Sequence, residues 1–308
     1  MNETTATAAP RVPEVLRKAK EVVAPAMAAA LDRLDPDLRV QATYHLGWTD
    51  SEGNPTGPGE GKGIRPALAL LSAEAAWADQ SAGIPGAVAI ELVHNFSLIH
   101  DDIIDGDEER HHRRALWTVY GLGPAIIAGD ALATLANQVL LDVPPRAAEN
   151  SHRPATWPGA DASAALAEAT QAMIAGQADD MAFERRTTVS VEECTAMCAA
   201  KTGALLGCAS SIGAILAGAL PATVAALRDY GQHLGLAFQA VDDLLGIWGD
   251  PDRTGKPAGS DLRQRKKTLP VVSALGAGGE EAEELRELLT PPPPGAAFEP
   301  LGPEEVKR

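Results

Sequence analysis

The sequence predicts an all-α protein folded as a single helical bundle, and three observations carry that prediction. Hydrophobic residues fill 45% of the 308 positions while aromatic residues fill only 4%, with Ala and Leu, strong helix formers, leading the apolar set. Long Val/Ile/Thr alternations of period two are absent. Apolar residues recur instead at helical spacing, in runs broken by Gly and Pro.

Taken in order, residues 1–10 read as a flexible leader. Pro13 to Leu34 predicts a first helix, with Val15, Leu16, Val22, Val23, Met27 and Leu31 at its apolar positions. Gly47 to Gly63, dense in Gly and Pro, predicts a long loop. Helices are expected over 66–79, 84–105 and 115–141, then a proline-bearing loop over 144–158. Further helices are expected over 161–183, 190–218, 222–248 and 268–275. Residues 11–290 form one domain on this reading. The Pro291–Pro294 run opens a tail, 291–308, that leads into a helix beginning near Pro303.

Charge narrows the function. A net charge of −16 argues against nucleic acid as a partner, because a phosphate backbone needs a basic surface. The basic residues are bunched at Lys62 and Arg65, at Arg110 to Arg114 and at Lys256 to Lys267, which suits a compact anionic ligand. Cys194, Cys198 and Cys208 lack the partners of a metal site and read as buried free thiols in a reducing compartment. The start of the chain has no basic, apolar leader, so a cytoplasmic protein is expected. The uncharged run 202–220 is long enough to cross a membrane. Its Gly, Ala and Ser content favours a buried bundle helix instead, so no membrane span is expected.

Two acidic clusters carry the chemistry. In Leu98-Ile99-His100-Asp101-Asp102-Ile103-Ile104-Asp105, a helix places Asp101 and Asp105 on one face, one turn apart. Like charges at that spacing, set among apolar neighbours, call for a cation. Oxygen-only ligands favour Mg²⁺, which commonly bridges carboxylates to substrate phosphates. Asp242 and Asp243 end a second apolar helical run. Lys62 and Arg65 flank the start of the helix that Pro66 opens, where free N–H groups favour anions. Arg110, Lys201, Lys256 and Lys266 are further candidate donors to a phosphate.

These residues and their neighbours resemble the polyprenyl synthetases, the trans-isoprenyl diphosphate synthase family. The matching motifs are Gly61-Lys62-Gly63-Ile64-Arg65-Pro66, Glu91-Leu92-Val93-His94 with Ser97 to Asp105, Arg110, and Gly176-Gln177. Lys201-Thr202, Phe238-Gln239 with Asp242-Asp243, Thr254-Gly255-Lys256-Pro257, and Asp261-Leu262 with Lys266 and Thr268-Leu269-Pro270 follow in the expected order. The resemblance implies the isoprenoid synthase fold, an all-α bundle around a deep apolar cavity, and a homodimer. It implies a Mg²⁺-dependent prenyltransferase that condenses an allylic diphosphate (dimethylallyl, geranyl or farnesyl) with isopentenyl diphosphate. Asp101, Asp105 and Asp242 are the implied metal ligands, with Asp102 and Asp243 as adjoining carboxylates. Arg110, Lys201 with Thr202, Gln239, Lys256 and Lys266 are assigned to the allylic diphosphate, and Lys62, Arg65, His94 and position 111 to isopentenyl diphosphate. Phe96, five residues before the first aspartate, is the implied cavity floor. With small Ser97 beside it, a C20 product is expected in preference to C15.

Four positions depart from the family pattern. His111 replaces a second arginine, with Arg113 and Arg114 as candidates to supply the missing charge. Gly246 stands where many members have Asp, and Gly63 where a larger residue is common. The extra C-terminal helices of the family are not in the sequence. These departures keep two alternatives open: a terpene cyclase or diphosphate lyase of the same fold, and a non-catalytic subunit of a heteromeric prenyltransferase. The retained carboxylates speak against the subunit, and Lys62, Arg65 and His94 against the cyclase.

Overall fold

The computed structural model describes residues 13–57, 59, 61–147, 156–250, 259–290 and 301–302. Thirteen α-helices occur among them, with one two-stranded hairpin, so the predicted all-α class holds. The chain runs α1 (Glu14–Leu31), α2 (Pro36–His45), α3 (Ile64–Ala75), a 3₁₀ turn (Gln80–Gly83) and α4 (Ile84–Asp105). The hairpin follows, β1 (Glu109–Arg110) against β2 (Arg113–Arg114), then α5 (Leu116–Tyr120), α6 (Leu122–Leu141), α7 (Pro158–Phe183) and α8 (Val191–Cys198). A π-helical turn (Ala199–Gly203) leads into α9 (Ala204–Ala217), α10 (Pro221–Trp248), α11 (Ser260–Arg263), α12 (Leu269–Ala277) and α13 (Glu280–Leu288).

Local chemistry sets several of these boundaries. Asp35 caps α2 by accepting from the Asp37 N–H, with Pro36 at the first helical position. Ser190 and Glu193 form a reciprocal capping box on α8. Gly106 ends α4 in the left-handed conformation, φ +69°, directly after Asp105.

Leu70, Ile90, Leu92, Leu132, Leu166 and Ile212 are among the largest fully buried side chains, and they join α3, α4, α6, α7 and α9 into the main core. Each contributes about 1.5–3 kcal/mol by leaving water. Small residues let the helices close up. A Cβ on Gly213 of α9 would lie 2.0 Å from the Ala69 carbonyl of α3, and one on Gly231 of α10 would lie 2.4 Å from the Leu206 carbonyl of α9. A second cluster (Phe183, Val189, Cys194, Met197, Cys198, Val272) ties α7 and α8 to α12. A third brings Leu301 against Val271 and Leu289. The three cysteines are free and buried, as expected.

Three helical segments, Gln80–Asp105, Leu122–Leu141 and Val191–Ala217, are long and apolar enough to cross a membrane. The first and third bury most of that surface inside the bundle, 61% and 67%. The structure adds α2, the hairpin, α11 and α13 to the sequence reading. It also splits 115–141 at Gly121, where φ is +97°. The leader, most of the tail and much of the 144–158 loop lie outside the described residues.

Candidate active site

Asp101 and Asp105 emerge on one side of the last turn of α4, both half-buried. Burial raises the Asp101 pKa above the usual carboxylate range; Lys201 opposes this, and the Asp105 charge adds to it. Lys266 reaches Asp105, Nζ to Oδ2 3.3 Å. Burial works against the charge on Lys266, yet Asp105, Asp180 and Asp261 outweigh it and lift its pKa above the ordinary lysine value. Lys201 is ion-paired with Asp180 of α7. Carboxylates from α4 and α7 and ammonium groups from the π turn and from Lys266 thus share one electrostatic field.

Close backbone contact places Lys201. A Cβ on Gly176 of α7 would lie 2.4 Å from the Lys201 nitrogen, and one on Gly235 of α10 would lie 2.5 Å from the Gly203 Cα. Only glycine permits both approaches, which explains Gly176 in the motif Gly176-Gln177. The π turn carrying Lys201 and Thr202 is wedged between α7 and α10, and such turns often occur at functional sites. Thr202 donates to Gln239 Oε1 at 2.6 Å, and Gln239 donates to Asp243 Oδ1 at 2.7 Å.

The structure separates the paired aspartates into different roles. Asp242 is exposed on α10, whereas Asp243 is buried, its second oxygen accepting the Leu269 N–H at 2.9 Å. Asp102 is 1% exposed and accepts from Arg110, 2.8 Å from Nε and 2.6 Å from Nη2. Asp102 and Asp243, read from sequence with the metal-binding group, therefore anchor the hairpin and α12. Asp101, Asp105 and Asp242 remain accessible. No three acidic, His or Cys side chains among the described residues are grouped to hold one ion. The donor set is oxygen-only carboxylates beside the ammonium groups of Lys201 and Lys266. It fits Mg²⁺, which keeps waters and takes one or two protein carboxylates, better than it fits a fully enclosed metal.

A second anion-attracting pocket lies on the other side of Arg110. Its volume is about 100 Å³, and its walls include His45, Glu91, His94, Arg110, His111 and Arg113. Arg65 comes within 3.1 Å of the His94 Nε2. Burial, then Arg65, Arg110, His45 and His111, hold His94 well below the usual imidazole range. Burial also raises Glu91, against the pull of Arg65. Lys62 has its Nζ 6.0 Å from the centroid of the Phe238 ring on α10. Lys256 is outside the described residues.

The Polyprenyl synthetase family model matches residues 56–296. The chain belongs to the polyprenyl synthetase family. Its sequence is 50% identical over 271 residues to the (2E,6E)-farnesyl diphosphate synthase of Mycobacterium tuberculosis, covering 88% of this chain and 72% of that one. It is 40% identical over 278 residues to the geranylgeranyl diphosphate synthase of the same organism, covering 90% and 77%. It superimposes on the crystal structure of a polyprenyl synthetase from Streptomyces coelicolor with a TM-score of 0.83 at 54% identity, covering 91% and 80%.

Within this polyprenyl synthetase the departures acquire physical reasons. A Cβ on Gly246 would lie 2.0 Å from Asp261 Oδ2, so a side chain there would displace the Asp261 carboxylate. Gly63 has φ +72°, and a Cβ would press on Lys20 and Leu16 of α1. His111 and His112 form the hairpin turn at φ +51° and +58°, a conformation that favours glycine. His112→Gly is expected to raise stability by roughly 1 kcal/mol in urea unfolding, because no contact of the turn depends on that ring.

Arg113 and Arg114, the candidates to supply the missing charge, both line the second pocket and also hold backbone carbonyls. Arg113 donates to the carbonyls of Tyr44 and Thr49, both at 2.8 Å, and lies over the Tyr44 ring. Arg114 donates to the Thr118 carbonyl at 2.7 Å. Two polar residues escaped the sequence reading. Asp180 lies one turn after Gly176 on α7, a spacing that could have flagged it. His45 ends a helix the sequence reading did not place, so no local pattern marked it.

His45 is half-buried, and its pKa is pushed down to about 3 by burial first, then by Arg110, His111 and Arg113. The folded imidazole is neutral where an unfolded one begins to charge, below its ordinary value near 6.5. The unfolded state then binds more protons, so this residue costs stability as pH falls from 6.5 toward 3. His45→Leu is expected to gain on the wild type by about 1 kcal/mol per pH unit in that window, read from paired urea melts at pH 7.5 and 5. A constant difference would contradict the assignment.

Proposed function

We propose that this polyprenyl synthetase is a Mg²⁺-dependent prenyltransferase that condenses an allylic diphosphate with isopentenyl diphosphate to a C15 or C20 product. One observation carries the reading: two anion sites of different chemistry adjoin at Arg110. One is built of carboxylates with lysines, and the other is lined by arginines and histidines with Glu91 as its carboxylate. Coupling two diphosphates needs both, whereas a cyclase or lyase needs only the first. The small side chain of Ser97 and the short first cluster favour C20. The identity to a farnesyl diphosphate synthase supports C15.

Asp101, Asp105 and Asp242 would hold Mg²⁺ with the allylic diphosphate. When bound, the metal supplies positive charge where the leaving diphosphate becomes more negative. Lys201 and Lys266, already fixed by Asp180 and Asp105, add preorganised charge to the same oxygens. The allylic carbon–oxygen bond breaks, and its electron pair leaves with the diphosphate. The double bond of isopentenyl diphosphate attacks the allylic carbon, and a proton passes from the adjacent carbon to the departed diphosphate. Arg65 and His94 orient the second substrate. Apolar residues along α4 and α6 shield the cation from water.

A cytoplasmic homodimer is part of this proposal. Free, buried cysteines support a reducing compartment, and exposed Leu122, Ile126 and Ile127 on α6 support a self-associating face. Sedimentation at several concentrations tests the dimer.

The deciding assay supplies purified protein with Mg²⁺, isopentenyl diphosphate and each of dimethylallyl, geranyl and farnesyl diphosphate, with products identified by mass. Prenyl diphosphates longer by five carbons per addition are expected, ending at C15 or C20. Hydrocarbon formed without consumption of isopentenyl diphosphate would establish a cyclase. Turnover only after a second protein is added would establish a subunit.

A further inference from the structure

We propose that His45, at the C-terminal end of α2, binds the diphosphate of isopentenyl diphosphate directly, beside His94 and Arg110 in the second pocket. The inference rests on the prenyltransferase reading and adds a residue that the family motifs do not contain.

The surroundings of His45 are the first argument. A histidine retained for packing alone lies among apolar groups or against an acceptor that uses both ring nitrogens. His45 instead lines a small polar pocket with His94, Arg110 and His111. Its charged neighbours are Arg110, His111 and Arg113, so the imidazole faces cations from the hairpin. His94 on α4 and Arg65 on α3 add to the same positive field, and Glu91 is the carboxylate in the pocket wall. Guanidinium groups gathered around imidazoles that burial keeps neutral leave this pocket short of negative charge. A compact dianion supplies that charge.

Orientation is the second argument. The side chain of Asn95, 6% exposed, lies beside His45 in the pocket wall. Its amide nitrogen is fixed by donating to the Glu91 carbonyl at 2.8 Å. The imidazole of His45 borders the pocket. The neighbouring basic groups are the third argument. His111 sits in an exposed, left-handed turn, and Arg113 and Arg114 are committed to backbone carbonyls. His45 is half-buried against the same pocket.

The test uses the full chain, with calorimetric binding of isopentenyl diphosphate in the absence of metal and steady-state kinetics with Mg²⁺. His45→Ala is expected to weaken isopentenyl diphosphate binding and raise its KM about tenfold or more, the loss typical of a charge-assisted hydrogen bond. The KM for the allylic substrate should stay within about twofold. His45→Gln, which keeps an N–H donor, should recover much of the loss. His45→Leu, which fills the volume without a donor, should not. The proposal is overturned by unchanged affinity in His45→Ala, by equal shifts in both KM values, or by Leu restoring what Gln does not. Should the Ala variant fail to fold, the Gln and Leu pair decides alone. A wild type that does not bind isopentenyl diphosphate would sink the prenyltransferase reading itself, whereas a wild type that binds it as tightly as His45→Ala sinks only the role of His45.

Discussion

Asp101→Asn is expected to lower kcat/KM by roughly 10²- to 10³-fold, about 3–4 kcal/mol of lost transition-state stabilisation. The substitution is isosteric and removes one negative charge from the accessible carboxylate pair on α4. Burial and the Asp105 charge already disfavour ionised Asp101 in the free protein. The neutral amide should therefore fold as well as the wild type or slightly better. Loss of activity with an unchanged or raised Tm is the signature of a group kept for its ligand. Asp102→Asn should behave in the opposite way. Asp102 is buried against Arg110, and cutting that partnership leaves a half-buried guanidinium without its counter-charge. Its Tm should fall, with activity lost through unfolding. Near-wild-type turnover in Asp101→Asn, measured across a Mg²⁺ titration, would remove Asp101 from the metal site.

This contrast also marks what sequence could and could not tell. Helical spacing correctly put Asp101 and Asp105 on one face, because i and i+4 stack in any α-helix. The same apolar pattern placed α4 over 84–105 and α10 within a residue of its observed start. Spacing could not say that Asp102 faces Arg110 or that Asp243 caps the start of α12, since both depend on contacts from distant segments. The hairpin was invisible for a related reason. Its turn residues are His111 and His112, not the Asn-Gly pair that normally announces such a turn. α2 is short and weakly amphipathic, and its loss from the reading took His45 with it. Gly246 looked like a defect in the second cluster until Asp261 was seen against it.

Phe96→Ala is expected to lengthen the prenyl product by at least one five-carbon unit and to lower stability by roughly 2–3 kcal/mol. The stability loss lies below the range for a fully buried ring because Phe96 is only half-buried. The ring sits between α4 and α6. Its edge meets His100, with centroids 4.8 Å apart, and the His100 Nε2 lies 3.1 Å from the Ile126 carbonyl of α6. Gly129 permits this layer, since a Cβ there would lie 2.4 Å from His100 Nε2. Phe96 therefore belongs to a braced layer about 7.5 Å below Asp101 along the helix axis, at five residues of 1.5 Å rise. Ser97, also half-buried, is the small side chain one turn before Asp101. A growing chain anchored by its diphosphate at Asp101 and Asp105 would meet the ring on its way down. Removing the ring leaves His100 and Gly129 in place, so the space gained should open downward more than sideways. Product mass distinguishes the outcomes. Longer chains from Phe96→Ala with Asp101-dependent turnover would support the floor. An unchanged distribution, or a wild type that already makes C30 or longer products, would show that chain length is set elsewhere.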